Sequence, residues 1–278
     1  MFVALMGLLG LCVGAILRLI AESVPDHDGG GRPRGTCAAC GATVHAATAI
    51  PIIGVFHTCA ACGHRPHPGR AMLDVTTAGV FAFLAARVGA AWALIPMLLL
   101  AAALLAVSAV DLERFRIPDR LLFPALGAGV VLLLVFSGAG DWGDHLVPAL
   151  VGMVAYGLIL FIPNLIAPAM LGFGDVKLAL LLGLFLGWMR PTIAEGIVLI
   201  IWSLIAGMLF GVLSGILVGI GRRVFGPTFL ADPDYPVAPG EDPPPIHRTA
   251  VPMGPGLALG AFTVMLWSGS ILGGSGVI

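Results

Sequence analysis

Two aspartates at the ends of apolar segments are the residues of this sequence best suited to do chemistry. Asp175 follows Gly172-Phe173-Gly174 and has an apolar segment on each side, while Asp111 closes another apolar segment. A carboxylate at membrane depth is costly to keep there, so such residues usually mark a functional site. Two of them on the same side of a bilayer predict a carboxyl dyad, which is the core of an aspartic protease embedded in a membrane.

The chemistry of such a dyad depends on a shared proton. Two neighbouring carboxyl groups resist losing both protons, so one of them stays protonated near neutral pH. The ionised partner can activate a water molecule for attack on a peptide carbonyl, and the protonated partner can donate to the carbonyl oxygen. The alternative hypothesis is an ion- or proton-coupled membrane transporter that uses the same intramembrane carboxylates.

Four residues near the aspartates are candidates for supporting roles. Gly172 and Gly174 allow a tight backbone and the close approach of another chain, such as a substrate strand in a cleft. Lys177 has two open roles, because it could tune the charge of the dyad or extend its ammonium group to the membrane surface. Asp119 directly follows a proline, and it is expected to be a first-turn acid of a helix rather than a catalytic group.

The composition determines the class of protein. Hydrophobic residues make up 59% of the 278 residues and charged residues only 10%, against roughly 25% charged in ordinary soluble domains. The fold class predicted is therefore an all-α polytopic membrane protein, surrounded by the lipid bilayer. The net charge of -1, without a basic block, gives no indication of a nucleic-acid partner.

About eight transmembrane helices are predicted, with boundaries good to about four residues. The apolar segments are Met1–Ile20, Ala71–Ala90, Ala91–Val110, Leu121–Ser137, Leu146–Ala167, Val176–Met189, Ile193–Ile220 and Gly256–Leu272. The second and third adjoin without a polar break, so a tight hairpin near Gly89 is predicted. One long buried helix is the alternative, but about 40 residues would greatly exceed the ~20 that span a bilayer.

The basic residues predict how these segments are oriented. If the N-terminus lies outside and each segment crosses once, twelve of the fourteen basic residues fall on one side, and only Arg87 and Arg190 fall on the other. The positive-inside tendency assigns the basic side to the cytoplasm. Asp111 and Asp175 then both face the cytoplasm, because two segments separate them.

Four of the five cysteines form two Cys-x-x-Cys pairs, Cys37 with Cys40 and Cys59 with Cys62, and eighteen residues separate the pairs. This spacing matches a four-thiolate zinc ribbon. Four cysteine ligands leave no open position for a catalytic water, so one structural zinc ion per chain is predicted. Two disulfides are the alternative, which a cytoplasmic location disfavours because thiols are kept reduced there.

Other residues around the cysteine pairs have simpler interpretations. Gly41 and Gly63 each follow a pair and suit the sharp turn that it needs. Cys12, in the first apolar segment, is expected to pack against lipid or core. Four histidines are expected to be solvated or outside the ligand set: His45, His57, His64 and His67.

The predicted organisation has three parts. Residues 1–20 form the first transmembrane helix, residues 21–70 form a small cytoplasmic zinc-ribbon-like domain between helices 1 and 2, and residues 71–278 form a membrane-embedded peptidase domain. Within the last part, residues 221–255 are a proline-rich cytoplasmic loop with little capacity for a packed core.

A series of motifs runs in order along nearly the whole chain. These are Arg18-Leu19, the cysteine module, Met72-Leu73-Asp74, Asp111 with Ile117-Pro118-Asp119, Gly172-Phe173-Gly174-Asp175-Val176-Lys177-Leu178, and Val251-Pro252-Met253-Gly254-Pro255. The series resembles that of the prepilin peptidases, or type IV leader peptidases, which are bacterial inner-membrane aspartic proteases of the Gly-x-Gly-Asp type. The two aspartate motifs with their spacing carry most of the specificity.

The resemblance implies a substrate, a location and a second activity. The substrates would be type IV prepilins or type II secretion pseudopilins, whose basic leader is cut after a glycine on the cytoplasmic side of the inner membrane. The catalytic pair of the family corresponds to Asp111 and Asp175. Members with the cysteine module commonly also methylate the new N-terminus with S-adenosylmethionine.

The sequence departs from the family pattern in its N-terminal third. Val13 and Gly14 stand where the first helix usually carries an asparagine, Ala38 replaces the customary proline, and Asp74 replaces the usual glutamate. These departures bear on the methyltransferase activity more than on the protease.

Overall fold

The structure is a computed structural model of the 278-residue chain. It describes residues 1–22, 37, 40–43, 58–63, 70–114, 116–138, 143–166, 172–225 and 253–272. Most of the predicted zinc-ribbon-like domain, the four histidines near it and residues 226–252 of the predicted proline-rich loop lie outside these ranges. The domain limits at residues 20 and 70 therefore stay predictions.

Eight helices account for nearly all of the described residues, and no strand occurs among them. The helices are α1 (Phe2–Glu22), α2 (Arg70–Val88), α3 (Leu94–Arg114), α4 (Asp119–Gly138), α5 (Gly143–Ile166), α6 (Phe173–Trp188), α7 (Ile193–Phe225) and α8 (Gly254–Leu272). Each corresponds to one of the eight predicted segments, so the predicted all-α architecture is confirmed.

The break between α2 and α3 lies at the predicted glycine. Gly89 has a φ of 73°, and its N–H donates to the carbonyl of Ala85 at 3.0 Å. Glycine adopts this left-handed conformation at no steric cost and often ends a helix in this way. The predicted break near Gly89 is confirmed, and the alternative of one long helix is wrong.

Six of the helices are long and apolar enough to cross a membrane, judged by length and composition of the described residues. The two shorter ones are α6, with 16 residues, and α8, whose apolar described part is Gly254–Trp267. At about 1.5 Å per residue, α6 is about 24 Å long, less than the ~30 Å hydrocarbon core. The chain is a multi-pass membrane protein.

The chain divides into two compact units, Met1–Ala106 and Val107–Ile278, with the boundary inside α3. In the first unit, α1 packs tightly on α2. A Cβ added at Gly14 would lie 2.7 Å from the Cα of Asp74, and one added at Gly10 would lie 2.7 Å from the Cα of Ala78. The small residues therefore let the two helix backbones approach, as is common between membrane helices.

In the second unit, α6 is the most enclosed helix. Nearly every residue from Asp175 to its end is buried. Its glycines meet α5 directly, because a Cβ at Gly183 would clash with the backbone of Gly152, and one at Gly187 with the carbonyl oxygen of Pro148. This tight packing fixes α6 within its unit, and α6 carries Asp175 in its first turn.

Candidate active site

Asp111 lies near the C-terminal end of α3 and is held by the start of α8. Its side chain is buried, with 4% of the residue exposed. The backbone N–H of Gly254 donates to Asp111 Oδ2 at 2.9 Å. Gly254 is the first residue of α8, so this N–H has no partner within its own helix and lies at the positive end of the helix dipole. The bond both satisfies the amide and orients the carboxyl group.

Asp175 is the third residue of α6. The helix begins after Gly172, which has extended backbone angles of φ −68° and ψ 140°. The N–H of Asp175 donates to the Gly172 carbonyl at 3.0 Å, which closes the first turn. With 8% of the residue exposed, Asp175 is a buried carboxyl group at a helix N-terminus, where the dipole favours a negative charge.

The structure brings Asp111 and Asp175 close enough for direct electrostatic interaction. Three helix ends converge on this point, namely the C-terminal end of α3 and the N-terminal ends of α6 and α8. Within the described part of the chain, no basic side chain forms an ion pair with either aspartate. Two buried carboxyl groups that interact electrostatically without a cation between them are expected to share one proton.

The glycines around the dyad provide space rather than unusual backbone angles. The glycines with positive φ in the described residues are Gly41, Gly63 and Gly89, so neither Gly172 nor Gly174 is needed for a left-handed turn. A Cβ at Gly172 would lie 3.3 Å from Asp175 Oδ2. A Cβ at Gly174 would lie 2.9 Å from the Cβ of Ile117. The close approach predicted at Gly174 is thus made by a side chain of this same protein.

Lys177 takes part in an interaction that the sequence interpretation missed. Its ammonium group donates to both carboxylate oxygens of Asp119, at 2.6 and 2.8 Å. The predicted position of Asp119 in the first turn of a helix is confirmed, because α4 begins there. Neither role considered for Lys177 anticipated this partner, since the two residues are 58 positions apart.

The four paired cysteines form a compact cluster. Their sulfur atoms all lie within 4.8 Å of one another, with Cys37 Sγ 3.6 Å from Cys62 Sγ and Cys40 Sγ 3.7 Å from Cys59 Sγ. Zn–S bonds of about 2.3 Å in a tetrahedron imply sulfur separations of about 3.8 Å. All five cysteines are described, and none forms a disulfide. The cluster fits a metal ion, and four thiolates match the preference of zinc.

The two halves of the cluster have the same backbone turn. Gly41 has a φ of 71° and Gly63 a φ of 70°. The N–H of Gly41 donates to the Cys37 carbonyl at 3.0 Å, and that of Gly63 to the Cys59 carbonyl at 2.8 Å. The glycine expected after each pair is therefore required by a left-handed conformation that other residues rarely adopt.

A buried ion pair in the first unit also went unpredicted. Arg18 Nε lies 3.6 Å from Asp74 Oδ1, and the side chains are 7% and 0% exposed. Both residues belong to the recognised motifs, but their pairing was not foreseen. An acid inside the apolar segment that starts at Ala71 was the available signal, because intramembrane charges tend to pair with one another.

The contact between Gly254 and Asp111 is the remaining feature that sequence reasoning missed. The sequence places Gly254 in a motif but indicates no contact for it. The 143 residues between the two positions give no local pattern that would reveal the bond.

Paired buried carboxyl groups held by helix ends, inside a multi-pass helical protein, are the arrangement of a membrane aspartic peptidase.

Comparison with known families agrees with this class. Residues 98–215 match the type IV leader peptidase family, and residues 8–88 match the bacterial peptidase A24 N-terminal domain. Both matches agree with the resemblance drawn from the motifs, which is confirmed.

Individual relatives carry one name. The chain is similar to the prepilin leader peptidase/N-methyltransferase of Myxococcus xanthus (strain DK1622), at 28% identity over 263 residues that cover 93% of this chain and 75% of the relative. The proteins of that name from Aeromonas hydrophila and Aeromonas salmonicida (strain A449) are 26% and 27% identical, over 86% of this chain and 73% of each relative. No solved structure matches the chain.

Proposed function

We propose that this protein is a prepilin leader peptidase that cuts type IV prepilins or type II secretion pseudopilins with Asp111 and Asp175 as its catalytic pair. The observation that carries the proposal is the electrostatic interaction of two buried carboxyl groups, one at the end of α3 held by the Gly254 N–H and one in the first turn of α6. The family match and the names of the relatives supply the substrate class.

The proposed mechanism needs only the two carboxyl groups and one water molecule. The ionised carboxylate takes a proton from the water, and the water oxygen attacks the peptide carbonyl carbon. The protonated carboxyl donates to the carbonyl oxygen, on which negative charge develops, and a tetrahedral intermediate forms. The intermediate collapses with cleavage of the C–N bond: the carboxyl that took the proton from water gives it to the leaving amine nitrogen, and the other carboxyl takes back a proton from the hydroxyl as the carbonyl re-forms. The Gly254 N–H, 2.9 Å from Asp111 Oδ2, holds the Asp111 carboxyl group in place during these proton transfers.

The location of the reaction follows from the distribution of basic residues. Twelve of the fourteen basic residues fall on the side of the bilayer to which the sequence assigns the dyad. With the positive-inside tendency, this supports a multi-pass protein of the bacterial inner membrane whose active site faces the cytoplasm. A leader that stays in the cytoplasm while the following helix enters the membrane would meet the dyad there.

The cysteine cluster supports a structural zinc ion. Cys37, Cys40, Cys59 and Cys62 would hold it, and they would leave no coordination position for water or substrate. The ion would supply folding stability to the segment between α1 and α2, because so short a polar segment buries little apolar surface of its own.

Methylation of the new N-terminus is proposed from the names of the relatives. S-Adenosylmethionine would supply the methyl group, and it carries charged and hydrogen-bonding groups that need polar partners. The described residues of the first unit form an open cavity of about 640 Å³ whose lining, which includes Phe2, Leu9, Phe81 and Trp92, is apolar. That cavity does not fit the cofactor, so no step of methyl transfer is assigned to it.

The proposed peptidase is tested with purified protein in detergent, a prepilin substrate, and the variants Asp111→Asn and Asp175→Asn. Each substitution keeps the size of the side chain but removes the acid, so cleavage should fall at least about 100-fold. Asp144→Asn is the matched control, because Asp144 is an exposed acid in the first turn of α5. Mass spectrometry of the new N-terminus reports both cleavage and methylation. Normal processing by either dyad variant would refute the assignment.

The zinc site is tested by metal analysis of the purified chain. About one zinc per chain is expected, and the double variant Cys37→Ser with Cys40→Ser should lose it because two of the four ligands are removed. Cys12→Ser, a change at an exposed cysteine in α1, should leave the metal content unchanged. A fully active preparation of the natural chain without metal would rule out a structural role for zinc.

A further inference from the structure

Lys177 stands out among the basic residues of this chain. It is the only lysine, and the other thirteen basic residues are arginines. Its ammonium group makes two short hydrogen bonds to Asp119, at 2.6 and 2.8 Å, with 19% of the lysine side chain and 53% of the aspartate side chain exposed. An ion pair this exposed contributes little to stability. The two short bonds therefore indicate a role other than stabilising the fold.

Two aromatic rings also lie near the ammonium group of Lys177. It lies 5.0 Å from the centroid of Phe173 and 5.5 Å from that of Phe123, both within range of a cation–π interaction. Phe173 lies one turn before Lys177 on α6, and Phe123 lies one turn after Asp119 on α4. Residues four apart share one face of a helix, so one face of each helix contributes a ring and a charged group.

These contacts join the two chain segments that carry the aspartates. Lys177 lies two residues after Asp175 on α6, and Asp119 lies eight residues after Asp111, across the connection from α3 to α4. The same connection also reaches α6 through Ile117, which leaves no room for a Cβ at Gly174. The start of α6 is thus attached to the α3–α4 connection at two neighbouring points.

The Lys177 side chain is directed to Asp119 and not to the dyad. Residues two apart on a helix do not face each other, and Asp119 already neutralises the charge of Lys177. Among the described residues, neither Asp111 nor Asp175 forms an ion pair with Lys177. These contacts favour an effect of Lys177 on the position of the helix over a direct effect of its charge on the carboxyl groups.

We propose that Lys177 and Asp119 form a positioning clamp that fixes the start of α6 against the α3–α4 connection and so sets the separation of Asp111 and Asp175. The inference rests on the proposed function, because its effect is measured as cleavage. Lys177 and Asp119 are positioning residues that do not touch the reacting atoms. A misplacement of about 1 Å between groups that must share a proton can lower a rate about 100-fold.

The clamp is tested by steady-state cleavage of a prepilin with Lys177→Met, Asp119→Asn and the exchanged double variant Lys177→Asp with Asp119→Lys. Each single variant should lower kcat about tenfold or more with little change in KM. The exchanged variant should recover much of the loss, because the bond is restored with its partners reversed. Lys177→Arg, which keeps the charge, should retain more activity than Lys177→Met. Arg120→Met is the matched control, an exposed cation beside Asp119, and it should cleave normally.

The pH profile of kcat separates positioning from direct charge tuning. The separation of Asp111 and Asp175 sets how strongly they share a proton, so loss of the clamp in Lys177→Met should bring the two limbs of the profile closer together as well as lower the rate. Loss of a nearby positive charge would instead move both limbs to higher pH. Normal kcat in both single variants, an exchanged variant no better than the worse single variant, or two limbs that both move to higher pH would each overturn the clamp. Absence of cleavage by the natural chain itself would instead count against the proposed function.

If the single variants do not accumulate in the membrane, the clamp is tested with the exchanged double variant and Lys177→Arg. Both keep an ion pair at this position, so both should accumulate in the membrane. If the exchanged variant accumulates yet cleaves no faster than a dyad variant, the clamp is refuted.

Discussion

The chain buries carboxyl groups in both of its compact units and surrounds them in different ways. In the first unit, Asp74 is completely buried and lies beside the guanidinium group of Arg18. In the second unit, Asp111 and Asp175 are buried and interact electrostatically with each other, and a backbone N–H holds one of them. A buried carboxylate with a cation beside it can remain charged, whereas two carboxyl groups without one must share a proton.

Glycines allow close helix packing in both units, and in the second unit some of them also lie beside the carboxyl groups. Gly10 and Gly14 on α1 lie against the backbone of α2, so they serve helix packing. Gly172 and Gly254 lie against carboxylate oxygens, where a Cβ would be 3.3 and 2.9 Å from Asp175 Oδ2 and Asp111 Oδ2. The first unit therefore places a cation beside its buried acid, while the second leaves its two buried acids poorly compensated, as functional sites often do.

The largest expected effect comes from breaking the ion pair of the first unit. Asp74→Ala leaves the Arg18 guanidinium buried beside a cavity, so the free energy of unfolding should fall by about 3–5 kcal/mol. Thermal or denaturant unfolding in detergent measures the change. Removing both charges, with Arg18→Met added to Asp74→Leu, should restore most of the stability.

The free energy of unfolding of Asp111→Asn and Asp175→Asn tests the difference between the buried acids of the two units. These variants remove a poorly compensated buried acid, so their stability should equal or exceed that of the natural chain. A loss as large as that of Asp74→Ala would show that both units use their carboxyl groups for stability, and the distinction would be lost.

A smaller effect is expected where α1 meets α2. Gly14→Ala introduces a methyl group 2.7 Å from the Cα of Asp74, so the helices must separate and stability should fall by about 1–3 kcal/mol. Gly79→Ala on α2 is the matched control, because a Cβ there meets nothing within 4 Å. That change should be neutral or slightly stabilising, since alanine is the better helix former. Equal losses in both variants would argue against close packing at Gly14.

The smallest expected effect is a decrease in the cleavage rate, caused by a substitution in the second unit. Gly254→Ala places a methyl group 2.9 Å from Asp111 Oδ2, so the carboxyl group must shift, and kcat should fall about tenfold, equivalent to about 1.4 kcal/mol. Unfolding should change by much less than in Gly14→Ala. Unchanged kcat in Gly254→Ala would mean that the α8 contact does not orient the catalytic group.

The predictable part of the fold rests on signals that are local in sequence. Long apolar segments indicate membrane helices because unpaired backbone groups are too costly in lipid, and α1 to α8 follow them closely. Gly89 ends α2 through its own conformation. The cysteine pairs are equally local, because each Cys-x-x-Cys turn with its glycine needs only five residues.

The contacts that could not be predicted all join residues far apart in sequence. Arg18 pairs with Asp74, Lys177 with Asp119, and Gly254 with Asp111. A single sequence shows which charged residues need partners but not which partners they obtain. The partner depends on which helices lie next to each other, which close packing decides.

The sequence by itself determined the membrane class, the eight helices and the four paired cysteines, because composition and short-range spacing are sufficient for each, and it predicted the two acids of the proposed dyad. Only the tertiary structure decided that α8 orients Asp111, that the lysine of α6 bonds to the start of α4, and that Asp74 lies beside an arginine. The physical reason is the low polarity of the interior, where the state of a buried charge depends on the groups that the fold brings beside it.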